Sequence, residues 1–354
     1  MFFRCASPES QVRANMSKRE QIGDDDQVAV YVDTFNDRQR AYVFASNPLG
    51  IQQDGIVTEG LGTDLNYDAL WYSEGKLVPG GYTVLFRIPF RSLRFPPAAK
   101  QKWGIALKRT IVWHNEESFW PAISNRVQGF VQQFALLRGM DHLSAGRNIQ
   151  VIPYGVFASG RFLDTAIPAF RTQNETRAGL DAKAVIKNAF TVDFTVNPDF
   201  SQVESDDPQV TVNRRFAVFF PEKRPFFLEN TNYFETPISL FFSRRLIDPQ
   251  FGTRVTGKVG RWAIGGLTAN DRAAGQLVSE NDPRFGSTAQ AGLLRVQREF
   301  GRQSRIGGFA SRRDFGNESN TVASIDTRLR LTPTWFFTGQ SVRSTRVTQA
   351  GVRT

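Results

Sequence analysis

The 354-residue sequence contains one cysteine, Cys5, and two histidines, His114 and His142. A single thiol forms no disulfide within the chain. Neither histidine has a cysteine or acid at metal-ligand spacing, so no zinc pattern is present. No run of ~18 apolar residues occurs, which excludes a membrane-spanning helix. It does not exclude spanning strands, because transmembrane barrels alternate apolar and polar residues and show no hydropathy peak. The opening Met1-Phe2-Phe3-Arg4-Cys5 has no apolar h-region or small-residue cleavage site behind it. For an exported protein, this means the signal peptide is missing from the chain. No glycine-rich phosphate loop or nucleophile elbow is found. Glu116 and Glu117 are adjacent, so in an extended chain they point to opposite sides and cannot flank one glycosidic bond. No catalytic residue is named.

Charge is weighted to one sign, with 44 Lys and Arg against 34 Asp and Glu, net +10. The excess is carried by arginine, and no lysine follows Lys258. The basic residues are spread singly through strand-like segments rather than striped along a helix. With no nucleic-acid reader motif, nucleic acid is not expected as a partner.

The pattern that is present is that of strands. Gln27–Thr34 alternates, with Val28, Val30 and Val32 on one face. Ala41–Ala45, Tyr82–Ile88 and Trp103–Thr110 read as further strands. Glycine, proline, Asn and Asp punctuate them, which is the spacing of a β-sandwich over residues 1–143. From Asn148 the strands lengthen and become two-faced. Thr176–Lys187, Phe190–Asn197, Thr253–Val259 and Ala323–Leu331 each set small or apolar residues against charged ones. Val192, Phe194, Val255, Val259, Ile325 and Leu329 fall on the apolar face. Asp193, Thr195, Lys258, Asp326 and Arg328 fall on the other. Short turns at 260–261, 301–302 and 332–333 alternate with longer connections at 270–287 and 314–320. Trp262 and Trp335-Phe336-Phe337 follow short turns, where an interfacial aromatic girdle belongs. The reading is all-β: a β-sandwich followed by an antiparallel transmembrane β-barrel portion over residues 148–354. A soluble antiparallel sheet with one wet face would alternate in the same way. Residues 197–245 lack strand alternation, apart from a strand-like piece at Leu240–Leu246, and form a plug- or loop-like insertion. Its charges, Asp206, Glu222, Arg224, Glu229, Arg244 and Arg245, are expected to pair within the lumen.

Two stretches resemble known families. Asp25–Asp37, Tyr42–Gly50, Asp68–Trp71, Ile88–Phe95 and Trp103-Gly104-Ile105 resemble the carbohydrate-binding module family 9-like (DOMON-like) domain. Asn197–Asp206 (NPDFSQVESD), Val212–Glu229 (VNRRFAVFFPEKRPFFLE) and Phe242–Arg245 resemble the barrel domain of the domain-of-unknown-function family DUF5916. The resemblance implies an exported protein of Gram-negative bacteria, truncated here at both ends, with the sandwich in the periplasm and the barrel in the outer membrane. Lipid and a glycan or polysaccharide are the partners it implies. Sugars stack on flat aromatic rings, which makes Trp71, Tyr67, Trp113 and Trp120 the candidate carbohydrate-binding residues; a Trp in a sandwich can equally belong to the core. Asp24, Asp25 and Asp26 offer oxygens for calcium, the one cofactor considered, or simply solvate a turn. The expected function is glycan binding or envelope transport or assembly without catalysis; the alternative is a glycan-processing hydrolase or its accessory.

Overall fold

The computed structural model describes residues 1–65, 67–96, 98–143, 149–164, 169–186, 189–198, 222, 224–228, 230–301 and 303–354. It is built mostly of β-strands. Its two α-helices, Pro225–Leu228 and Ala273–Gln276, are one turn each. Among the described residues no helix is long and apolar enough to cross a membrane.

Ten strands precede residue 142: β1 (Phe2–Ala6), β2 (Gln27–Asp33), β3 (Arg40–Ser46), β4 (Gln52–Thr58), β5 (Gly62–Asp64), β6 (Tyr72–Val78), β7 (Gly81–Arg87), β8 (Lys100–Ile111), β9 (Glu116–Trp120) and β10 (Ala135–Asp141). One sheet has the order β1-β7-β6; the other runs β10-β8-β2-β3-β4-β5, with β9 also paired to β8. The alternation of β2 sends Val28, Val30 and Val32 into a core shared with Phe44 and Ile56 of the same sheet and Tyr82, Val84 and Phe86 of the other. The opposite face is apolar too. Ala29, Ala41, Val43, Ala45 and Val57 lie there, closed over by Ile22 and Val131 from flanking loops. Burial on both faces explains why β2 reads as a near-continuous apolar run.

Trp71 and Tyr67 belong to this core, which corrects the expectation that they form a sugar platform. Trp71 is 2% exposed and lies edge-on to Phe44 and Phe86, with ring centroids 5.3 and 5.1 Å away. The physical reason is Asp54. This carboxylate is fully buried and collects donors from Arg19, from the Ala69 N–H at 2.6 Å and from the Trp71 indole N–H at 3.2 Å. Tyr67 is likewise buried and donates its hydroxyl to the Ser92 carbonyl at 2.6 Å. Both polar tips are committed to holding the fold.

The remaining strands form one nine-stranded antiparallel sheet: β11 (Ile149–Asp164), β12 (Ala169–Ile186), β13 (Phe190–Val196), β14 (Phe251–Val259), β15 (Trp262–Asp271), β16 (Ala289–Phe300), β17 (Ser304–Phe315), β18 (Glu318–Arg330) and β19 (Phe336–Val347). Every strand pairs with its sequence neighbour. The connections at one end, 260–261, 301–303 and 331–335, are short. At the other end 272–288 is long, but the expected longer loop at 314–320 is instead a tight turn. β17 and β18 pair as far as Phe315 and Glu318, and Gly316 takes the turn at φ +58°. Leu240–Leu246, expected as strand-like, instead carries a single-turn helix at Ser243–Arg245. Arg224 draws the carbonyls of Ser243 and Leu246 to its guanidinium, and carbonyls held this way cannot join a ladder.

Two outcomes follow for the N-terminal part. Trp71→Ala empties a core site and removes one of the donors that Asp54 accepts from, so it lowers stability by about 3–5 kcal/mol, read by chemical denaturation. Burial and the neighbouring Asp54 charge push the Glu20 carboxyl up to about 8. A carboxyl raised on folding contributes stability that is complete below its unfolded value and is lost as pH rises through the folded one. The melting temperature should therefore fall between pH 6 and pH 9, and Glu20→Gln should flatten that slope.

Candidate functional site: the charged inner face of the nine-stranded sheet

One face of the nine-stranded sheet is polar and covered, and the other is apolar and open. On β13, Thr191, Asp193 and Thr195 are buried while Phe194 between them is exposed. On β14, Arg254, Thr256 and Lys258 are buried, with Val259 exposed. On β16 the buried residues are Arg295, Gln297 and Glu299, on β17 Arg305, and on β18 Ser324, Asp326 and Arg328. Cross-strand register lines these residues up on the same side: Asp193 faces Arg254, Glu299 faces Arg305, and Arg305 faces Arg328. All five residues placed on the polar face by sequence lie there.

Several of the buried charges are paired, while Arg305 and Arg328 form no ion pair among the described residues. Arg254 forks onto Asp193 with Nε and Nη2 at 3.1 and 2.9 Å. Arg295 binds Asp326 through both terminal nitrogens at 2.7 and 2.9 Å. Thr195 donates to Asp181 at 2.6 Å. The planar arginine fork suits such two-point pairing.

Two elements cover this face. The first is the segment preceding β14. Phe227, Phe234 and Leu246 pack against Leu267, Ala269, Leu293 and Phe309 of the sheet. Arg254 donates to the Phe226 carbonyl, and Gln340 on β19 accepts from the Ile238 N–H at 2.7 Å. The segment therefore reaches across the sheet from β14 to β19. It is held together by Arg224, which binds Glu222 at 2.8 and 2.7 Å and lies over the Phe227 ring. This is the one expected pairing of the insertion that falls within the described residues. Arg244 is half-buried and Arg245 exposed. Asp206 and Glu229 lie outside the described residues.

The second cover is the N-terminal part, which meets the short-turn end. Lys258, only 3% exposed at its side chain, binds Asp37 of the β2–β3 turn and Glu299 of β16, the latter at 2.6 Å. Burial raises the Asp37 carboxyl, but the Lys258 ammonium outweighs it and holds the group below its ordinary value. Burial and the Asp37 charge push nearby Asp33 well above its own. Arg40 stacks on Tyr233 at 4.6 Å. Thr231 donates to Asp64 at 2.8 Å, and Arg330 donates to Gln132 at 2.7 Å. Gly60, at φ +78°, brings bare backbone against Arg328; a β-carbon there would collide with the guanidinium. Asp37 and Gly60 carry no local signal of this role, since their partners are supplied by the distant sheet.

The other candidates do not converge on this face. Asp24 is exposed. Asp25 accepts from the Asn15 backbone and side chain at 3.1 and 2.6 Å and from Asn47 at 3.0 Å. Asp26 accepts from the Val112 N–H at 2.9 Å. Asp25 and Asp26 serve separate structural ends, and no cluster of three metal-ligating side chains occurs among the described residues. This corrects the calcium expectation. Trp113 and Trp120 remain exposed, at 65% and 58%.

The family model described as Domain of unknown function (DUF5916) matches residues 148–256, from the residue before β11 into β14. It includes the segment that carried the resemblance in sequence, and it covers neither the N-terminal part nor β15–β19. No curated protein matches the chain, and no solved structure matches it.

Lys258→Met leaves Asp37 and Glu299 facing each other without their cation. Removing one partner of a buried pair costs about 3–5 kcal/mol. Denaturation of the intact protein should register that loss, and adding Asp37→Asn should recover part of it in a double-mutant cycle. A strictly additive cycle would mean that the two residues are not coupled.

Proposed function

We propose that β11–β19 form part of a transmembrane β-barrel of an outer membrane. In this reading the N-terminal part is a periplasmic β-sandwich seated at the barrel's short-turn mouth, and the segment before β14 is a plug. The protein then serves envelope transport or assembly, without catalysis of its own. The observation that carries the reading is the inverted polarity of the sheet. Arg254, Lys258, Arg295, Asp326 and Arg328 are withdrawn from solvent, while Ile325 is 64% exposed and Leu294, Ile306 and Phe337 are also exposed. A sheet in water turns its apolar face inward; one in lipid turns it outward and keeps charge in the lumen. Exposed Trp262, Trp335 and Phe337 border the short turns, where a girdle would meet the headgroups. Periplasmic turns of such barrels are the short ones, so a periplasmic N-terminal part is expected at the end where Asp37 meets Lys258.

Glycan binding is a second role for the same N-terminal part. It rests on the exposed rings of Trp113 and Trp120. Replacing both with alanine should abolish glycan retention without changing the melting temperature.

The membrane reading is tested by one substitution on each face. An arginine on the lipid face at the bilayer midplane costs about 2–4 kcal/mol, while lumen positions tolerate charge. Ile325→Arg should therefore impair detergent-resistant assembly of the intact protein. Val342→Arg, at an exposed inner-face position, should not. Equal tolerance of both, or a wild-type protein that stays monomeric and soluble without detergent, would sink the reading.

A further inference from the structure

The inner face changes character toward the long-loop end. Register places Ala269, Ala291, Arg313, Asn320 and Arg346 in one row across β15–β19. The row beneath it is Leu267, Leu293, Ser311, Val322 and Ser344. Together with Leu240, Phe241 and Leu246 of the covering segment, these rows, Ala269 and Ser344 excepted, bound a cavity of about 660 Å³. That volume is within the range of small-molecule sites, about 300–1,000 Å³. The floor is aliphatic and aromatic, and the rim is arginine.

The charges at this rim do not cancel. Arg244, Arg245, Arg312, Arg313 and Arg346 line the cavity with two acids, Asp271 and Glu318. Both acids are engaged elsewhere. Asp271 accepts the backbone N–H groups of Ile247, Asp248 and Ala273 at 3.2, 2.8 and 3.1 Å. Glu318 is paired with Arg284 at 3.0 Å. Arg312 is taken by Asp314 at 2.7 Å. Among the described residues, the guanidinium groups of Arg245, Arg313 and Arg346 form no ion pair, and Nε of Arg313 is buried without a hydrogen-bond partner. Arg254 and Arg295 on this face are matched by an acid, whereas Arg305 and Arg328, nearer the short-turn end, form no ion pair among the described residues but are closed over by the N-terminal part. Here two guanidinium groups flank Asn320, their backbones roughly 10 Å apart across two strand spacings, above an apolar floor.

We infer that this cavity binds an anionic amphiphile: a carboxylate or phosphate head held between Arg313 and Arg346, with a single apolar chain laid along Leu267, Leu293, Val322 and Phe241. A small inorganic anion would leave the floor unfilled. A neutral lipid would leave the arginines unanswered. The two features share one cavity, so one molecule with both parts satisfies it. Chain length contributes in proportion to buried area, so each added methylene strengthens binding roughly fourfold until the floor is covered. The inference rests on the cavity and its arginines and stands apart from where the sheet resides.

Carboxyl-labelled myristate titrated into the full-length protein in nanodiscs, with empty nanodiscs as reference, should give a saturable protein-bound carboxyl resonance. Arg313→Gln combined with Arg346→Gln should weaken that binding at least tenfold. Against the wild type, laurate should compete about sixteenfold less well than myristate, myristyl alcohol at least tenfold less well, and butyrate not at all. The wild-type arms decide the matter even if the paired variant does not fold. No protein-dependent resonance, equal competition by the alcohol, or a folded paired variant with unchanged affinity overturns the assignment. Failure to enter nanodiscs counts against the membrane reading alone, and the titration then runs in buffer with the same expected results.

Discussion

A charge withdrawn from water must meet an opposite charge, and the inner face of β13–β18 is organised around that requirement. Isolated burial of a lysine or arginine costs several kcal/mol, a large share of a single domain's stability. The sheet meets the demand in part by itself, through Arg254 with Asp193 and Arg295 with Asp326. It does not do so everywhere. Lys258 takes one of its two carboxylates from outside the sheet, and Arg328 faces the bare backbone of Gly60. The position of the N-terminal part is a consequence. Its β2–β3 and β4–β5 turns must lie at the short-turn end because that is where the sheet's own acids run short.

The same constraint separates the roles of the two covers. At the short-turn end the contacts are ionic and come from a folded two-sheet unit. Midway along, they are aromatic and come from a segment fastened by Arg224 and Glu222. Neither cover lies on the face that holds Ile325 and Leu294, so the outer face keeps its apolar side chains exposed. In the proposed barrel these three zones correspond to a sealed mouth, a packed lumen and a lipid-facing wall. The unbalanced arginines beyond the covering segment form a fourth zone, whose charge the protein itself leaves unmatched.

Much of this was legible in the sequence, and the limits were physical ones. Period-two alternation in β13, β14 and β18 sorts side chains by face whatever surrounds them, so Asp193, Lys258 and Asp326 were placed correctly from pattern alone. Trp71 was not, because an aromatic residue beside a loop looks the same whether it caps a core or a ligand. Only the buried carboxylate of Asp54, 17 positions away in the chain, decides which. Leu240–Leu246 was misread because a short apolar run beside arginines resembles a strand; the guanidinium of Arg224 captures its carbonyls first. The tight turn at Gly316 was masked by polar flanks that resemble a loop. Asp37 was seen only as part of a polar turn, since nothing local announces a partner 221 positions away.

That separation has a kinetic side. Each strand of the nine-stranded sheet pairs with the strand next to it in sequence, so the sheet can grow hairpin by hairpin at low contact order. The bonds from Asp37 to Lys258, from Gln132 to Arg330 and from Asp64 to Thr231 instead close loops of 221, 198 and 167 residues. Contacts across such distances form late, after the local ladder has removed most of the chain's freedom. The short-turn end is therefore the last region to complete, and the first to come apart when long-range contacts are strained. A chain arrested before that step would carry a finished ladder in which Lys258 keeps Glu299 but lacks Asp37, a species that differs from the native one by a single missing carboxylate.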